Sequence, residues 1–311
     1  MIVEAVGAAG GVWALRWLMH LAILRGLRAP RLRHSQGPAD LGFTPDVARE
    51  VRVPAPRGKQ LFGWLVSPAR PAHAAQQPVP AVLVMHGWGA NAAMMWPVVR
   101  PLHAAGFAVL LIDARCHGLS DDEAFASMPG FAEDIAAGLA WMRAEPGIAV
   151  DRLALLGHSV GAAAALLHAS GHDDVRAVVS LSVFAHPREV MRRVMAEKRV
   201  PHAVLGWYVL RHVQRVIGAS FDDIAPLTTL PRVRCPVLLV HGRADTTVPY
   251  GDALRLQAVS GRVELLAVEG GHDLRDALAA DAEALVAFVQ SACAPVAMPP
   301  IEPVEVPLMV A

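Results

Sequence analysis

The sequence predicts an α/β protein, a mostly parallel sheet of about eight strands with helices on both faces. Short runs of consecutive apolar residues recur along the chain, as in strands buried on both faces rather than one. Glycines and prolines bound these runs, and amphipathic helical stretches separate them. Such alternation implies right-handed βαβ crossovers and a layered α/β architecture.

The elements follow in order. Residues 47–53 and 61–66 read as an antiparallel lead-in, and 80–86, 107–112, 152–156, 175–183 and 236–240 as buried strands. Residues 263–268 form a further apolar segment. Helical patterns cover 91–105, 131–143, 159–169 and 252–259. Between two late strands, residues 186–231 are long and mostly helical in pattern, with apolar Val204, Leu205, Trp207 and Leu210 beside polar Arg211, His212 and Arg215. A long insertion in a compact α/β domain is usually functional, so a helical lid is expected. No internal repeat is visible. The tail 293–311 is Pro-rich and should be extended or disordered.

The 311 residues are enough for a large core without staples. Lys plus Arg and Asp plus Glu are 28 each, which argues against a nucleic-acid partner. With 54% hydrophobic and 18% charged residues, wholesale disorder is excluded. Cys116, Cys235 and Cys293 form no CxxC pair, consistent with reduced thiols in a cytoplasmic setting.

The N-terminal part, residues 1–44, reads as an apolar helix and a basic linker. Residues 5–24 are long enough to cross a bilayer, but Arg16 near the middle would cost roughly 2.5–3.5 kcal/mol there. The start MIVE lacks the basic region of a signal peptide. Arg25, Arg28, Arg31 and Arg33 follow, which would leave the main domain in the cytoplasm. An interfacial or docking helix fits better than a span, so contact with a membrane surface through residues 5–24 is expected.

Four places carry chemistry. Gly157-His158-Ser159-Val160-Gly161 joins a predicted strand to an alanine-rich helix, the context of a nucleophile elbow, in which flanking glycines avoid collisions around a strained serine. A serine needs a base, and the base an orienting group. Asp245 lies just past the strand 236–240, and His272 follows two glycines after 263–268. The chain order Ser159, Asp245, His272 fits a parallel-sheet hydrolase. Asp245 would hold the far nitrogen of His272 while His272 deprotonates Ser159. The loop His86-Gly87-Trp88-Gly89 could supply the Trp88 N–H to an oxyanion, paired with that of Val160. His158, Cys116 and His117 read as structural, and Asp222 and Asp223 as rival acids without strand-end context. No metal-ligand motif or cofactor is indicated.

The motifs HGWG at 86–89, DARCHGLS at 113–120, GHSVG at 157–161, HGRADTTVP at 241–249 and GGHD at 270–273 resemble the α/β-hydrolase family across residues 45–292. They are similar to its bacterial serine-hydrolase subgroup of esterases and acyl-peptidase-like hydrolases. Arg115-Cys116 departs from the Arg-Gly common at that loop, and the oxyanion loop lacks an HGGG run. The expected reaction is hydrolysis of a small-molecule carboxylic ester with a short to medium acyl group. A serine exopeptidase or acyl-peptidase with the same triad is the alternative, anchored by insertion charges such as Arg188 and Glu189. A non-catalytic ligand-binding member is a third reading.

Overall fold

A computed structural model describes residues 2–68, 77–201, 205–274 and 281–295. Eight strands form one sheet: β1 (Ala48–Ala55), β2 (Lys59–Val66), β3 (Val79–Met85), β4 (Ala108–Ile112), β5 (Ile148–His158), β6 (Ala177–Leu181), β7 (Val237–Gly242) and β8 (Val263–Val268). Their spatial order is β1-β2-β4-β3-β5-β6-β7-β8. The hairpin β1–β2 and the β2–β4 pairing are antiparallel, and every other pairing is parallel. The predicted fold class is therefore observed.

Period-two side-chain alternation sends the apolar runs to two cores. On one face Leu83, Met85, Leu110 and Leu155 pack with α3 (Met128–Ala144) and α4 (Val160–Ala169). On the other, Val82, Val84, Leu111 and Leu156 pack with α2 (Trp96–Ala104) and the C-terminal helix Ala282–Ala292. Both faces are covered, which is why the strand sequences are continuously apolar.

Boundaries differ where polar or Pro residues mask the pattern. β5 begins at Ile148 rather than 152, because its early residues include exposed Val150 and Asp151 and the register with β3 shifts there. α3 begins at Met128 rather than 131. Ser127 caps it, its Oγ accepting the Gly130 N–H at 3.1 Å, and Pro129 is tolerated in the first turn. Asn91 caps a 3-10 turn (Ala92–Met95) that runs into α2.

The insertion between β6 and β7 is helical as expected, with α5 (Pro187–Glu197), α6 (Trp207–Ile217) and two single turns, α7 (Phe221–Ile224) and α8 (Pro226–Thr229). α9 (Tyr250–Ala258) follows β7. Val204 and tail residues 296–311 lie outside the described residues. At the N-terminus, α1 (Ile2–Gly26) packs against α6, where His20 Nδ1 lies 2.9 Å from His212 Nε2. Ile23 and Leu27 are buried in the first core. Among the described residues, no helix is long and apolar enough to cross a membrane.

Candidate active site

The turn from β5 into α4 is strained at one residue. Ser159 has φ 53° and ψ −115°, a left-handed φ that a residue with a Cβ adopts only when its surroundings impose it. They do: the Ser159 N–H donates to Leu181 O on β6 at 2.8 Å, and Ser159 O accepts the first helical bond from Ala163. Gly157 and Gly161 make the turn fit. A Cβ on Gly161 would sit 2.7 Å from Met85 O and closer still to His86 O, while one on Gly157 would meet the backbone of 161–162. These contacts set the shape of the turn.

Two loops bring the other members of the constellation over the sheet. Asp245 follows β7 and His272 follows β8, and the loops are stitched by Arg243 N–H to Val268 O (2.9 Å) and Ala244 N–H to Gly270 O (3.0 Å). Asp245 Oδ2 lies 2.8 Å from His272 Nδ1, and His272 Nε2 lies 3.1 Å from Ser159 Oγ. The carboxyl is buried. Burial pushes its pKa up, but the hydrogen bonds from His272 and the Val248 amide outweigh it and hold Asp245 below its ordinary value. An ionised carboxylate only accepts, so Nδ1 carries the ring proton and Nε2 presents a lone pair to the serine hydroxyl. This arrangement can withdraw a proton from Ser159 as its oxygen attacks.

Residues outside the constellation hold His272 in place. His158 Nε2 donates to the backbone carbonyl of His272 at 2.9 Å, and Ser182 Oγ donates to the same oxygen at 3.2 Å. Asp113 clamps three segments: its carboxylate accepts from the Ala92 and Leu119 amides (2.7 and 2.8 Å) and meets His34 Nε2 at 2.9 Å. It therefore ties the linker to the loop that carries Trp88. The aspartate was visible as the first residue of DARCHGLS, directly after a strand, but nothing in the sequence indicated His34 as its partner.

His86 underlies that loop, with Nδ1 donating to Gly87 O (2.7 Å) and Nε2 accepting the Ala114 N–H (3.0 Å). Only the neutral ring can do both. Burial, with neighbouring His117, pushes its pKa down to about 4, and burial likewise pushes His158 down to about 4. Because the unfolded chain takes up these protons first, stability is complete above about pH 6.5 and is lost as pH falls toward 4. His86 alone should account for about 3 kcal/mol over that window. Urea midpoints compared between neutral and mildly acid buffer should fall accordingly, and a flat profile would contradict it.

Ser159, Val160, Trp88 and His272 line one cavity of about 920 Å3. Neither the Trp88 nor the Val160 N–H has an acceptor among the described residues, whereas the neighbouring Gly89 N–H is taken by His117 Nε2 (3.2 Å) and that of Ala90 by Gly87 O (3.2 Å). Beyond the constellation the lining is mainly apolar, with Met94, Met95, Met128, Met191 and Met195, and among the described residues its only carboxylate is Asp273. Met19, Ile23 and Leu27 of the N-terminal region share it. Cys116 lies outside this lining; burial raises its thiol pKa. Asp222 is occupied with His186 and Arg188, and Asp223 is likewise absent from the lining. Among the described residues, no group of three or more His, Cys, Asp and Glu side chains could hold a metal ion.

Comparisons with known proteins agree with this fold. Residues 76–222 match the family model described as serine aminopeptidase, S33. The uncharacterized protein YfhR of Salmonella typhi is 27% identical over 232 residues, covering 70% of this chain and 72% of that protein. The uncharacterized protein Rv2307c of Mycobacterium tuberculosis is 28% identical over 227 residues, covering 72% and 71%. Among solved structures, the Pyrococcus furiosus esterase Pf2001 superposes with a TM-score of 0.63 at 21% identity, over 86% of this chain and 96% of that one. Est1E of Butyrivibrio proteoclasticus, solved with ferulic acid, gives 0.61 at 19% identity, over 79% and 100%. At such identities these structures speak for the fold alone. Fold, motif order and family match agree: the chain has the α/β-hydrolase fold, and its residues 76–222 match a serine-hydrolase family of that fold.

Proposed function

We propose that the chain hydrolyses carboxylic esters with an uncharged acyl group, short to medium in length, through an acyl-serine intermediate. The observation that carries this reading is the Ser159–His272–Asp245 hydrogen-bond chain opening into an apolar cavity. Ser159 Oγ attacks the ester carbonyl while its proton passes to His272 Nε2. The carbonyl π electrons move to oxygen, and the N–H groups of Trp88 and Val160 stabilise the oxyanion, each by about 3 kcal/mol. The tetrahedral adduct collapses, the alcohol leaves with the proton from His272, and water repeats the sequence to release the acid. Asp245 stays ionised and stabilises the imidazolium. The cavity volume is at the upper end for small-molecule sites, which run to about 1,000 Å3.

Two observations keep an aminopeptidase or acyl-peptidase as the second reading: the description of the matching family, and Asp273 as a carboxylate in the lining. Against it, two of the insertion charges expected to anchor a peptide are engaged elsewhere. Arg188 pairs with Asp222 at 2.9 Å, and Glu189 with Arg255 at 2.8 Å.

A rate series on p-nitrophenyl esters, from acetate to palmitate, tests the proposal, with Ser159→Ala as control. Turnover peaking at short to medium chains and abolished in the variant is expected. A peak at the longest chains would move the reading to lipids. Absence of ester turnover with cleavage of aminoacyl-naphthylamides would favour the peptidase.

A further inference from the structure

An apolar helix face must be covered to be stable, and among the described side chains of α1, residues 13–26, the protein covers only one face. Its inner face, with Ile23 buried and Met19 in the cavity wall, is accounted for by the protein. The opposite face holds Trp13, Trp17, Leu18 and Leu21, which are 70%, 50%, 56% and 40% exposed. The patch continues onto α6 at Trp207 (59% exposed) and to the rim of the cavity, where the lining residues Trp88, Val194 and Leu205 are themselves exposed.

Charge narrows the choice of cover. Between Glu4 and Asp40 the sequence has five arginines and no acidic residue, although the whole chain is neutral. From Lys198 to Ile217 the pattern repeats with Lys198, Arg199, Arg211 and Arg215 and no acid. Arg16, Arg25, Arg211 and Arg215 are exposed, so cations lie on both helices that carry the apolar patch. Arg211 stacks on Trp207, its guanidinium carbon 5.9 Å from the ring centroid. Indole rings set among arginines on an apolar face match the headgroup boundary of an anionic bilayer, where tryptophan sits at the interface and cations meet phosphate. A purely protein cover would need acidic partners for these arginines.

We infer that the outer face of α1, with Trp207 of α6, docks onto an anionic phospholipid surface and lays the apolar rim of the cavity against it. The helix lies in the interface rather than crossing it.

Co-sedimentation of the full chain with vesicles of phosphatidylcholine alone, or mixed with phosphatidylserine, tests this without requiring turnover, so its failure leaves the hydrolase reading untouched. Binding to the mixed vesicles only, weakened by salt, is expected. Both Trp13→Gln/Trp17→Gln and Arg211→Glu/Arg215→Glu should weaken it by about tenfold or more, with thermal unfolding unchanged because all four side chains are exposed. Three results would overturn the proposal: no binding to mixed vesicles at low salt, binding unaltered by either variant, or a dimer in solution that the tryptophan variant converts to monomer. The last would make a second copy of the chain the cover.

Discussion

Asp245→Asn is expected to lower kcat by about 10^4 on any ester the protein turns over, while leaving it folded. The tautomer of His272 decides the effect. Asp245 Oδ1 accepts the Thr247 and Val248 amides at 2.9 and 2.8 Å, so the side-chain oxygen of an asparagine must occupy that position. Its NH2 group then faces His272 Nδ1, where Oδ2 stood at 2.8 Å. Nδ1 is forced to accept, the proton moves to Nε2, and the ring can no longer take a proton from Ser159 Oγ. The loss should fall on kcat, with KM little changed, because Asp245 is not in the cavity lining. A loss below about tenfold would mean that the carboxylate does not set the tautomer.

Gly161→Ala should have the largest effect on stability. Its Cβ would meet Met85 O at 2.7 Å and Met85 Cγ at 2.9 Å, with His86 O nearer still. Two of these atoms are backbone, on the strand β3 and the loop that follows it, so neither can rotate away. Overpacking of this kind costs about 3 kcal/mol. Any relaxation must also separate α4 from the 86–89 loop, moving Val160 away from Trp88. Urea denaturation and ester kinetics on the same sample should therefore fail together. Retained stability would show that the elbow has more slack than its contacts imply.

Much of this was legible in the sequence because each catalytic-type residue sits at the end of a strand. Buried parallel strands announce themselves by apolar runs, and Ser159 and Asp245 follow such runs within a few residues. The two glycines before His272 marked the remaining loop. What escaped detection depends on contacts distant in sequence. An apolar helix such as α1 reveals that it must be covered, but not by what, so its place in the cavity wall could not be read from periodicity. The His34–Asp113 contact joins residues 79 apart, and His158 acts through the backbone carbonyl of His272, which no side-chain pattern encodes. The first residues of β5 stand outside the apolar run for a local reason, since exposed positions there interrupt it.

The most direct test of the central claim is covalent labelling by a fluorophosphonate, followed by mapping of the modified peptide. The probe's phosphorus takes the place of the ester carbonyl, so it reports an activated serine without presuming an acyl length. Modification of Ser159 is expected to be stoichiometric, absent in Ser159→Ala and slowed in Asp245→Asn. A folded protein that remains unlabelled, or is labelled at another serine, would contradict it.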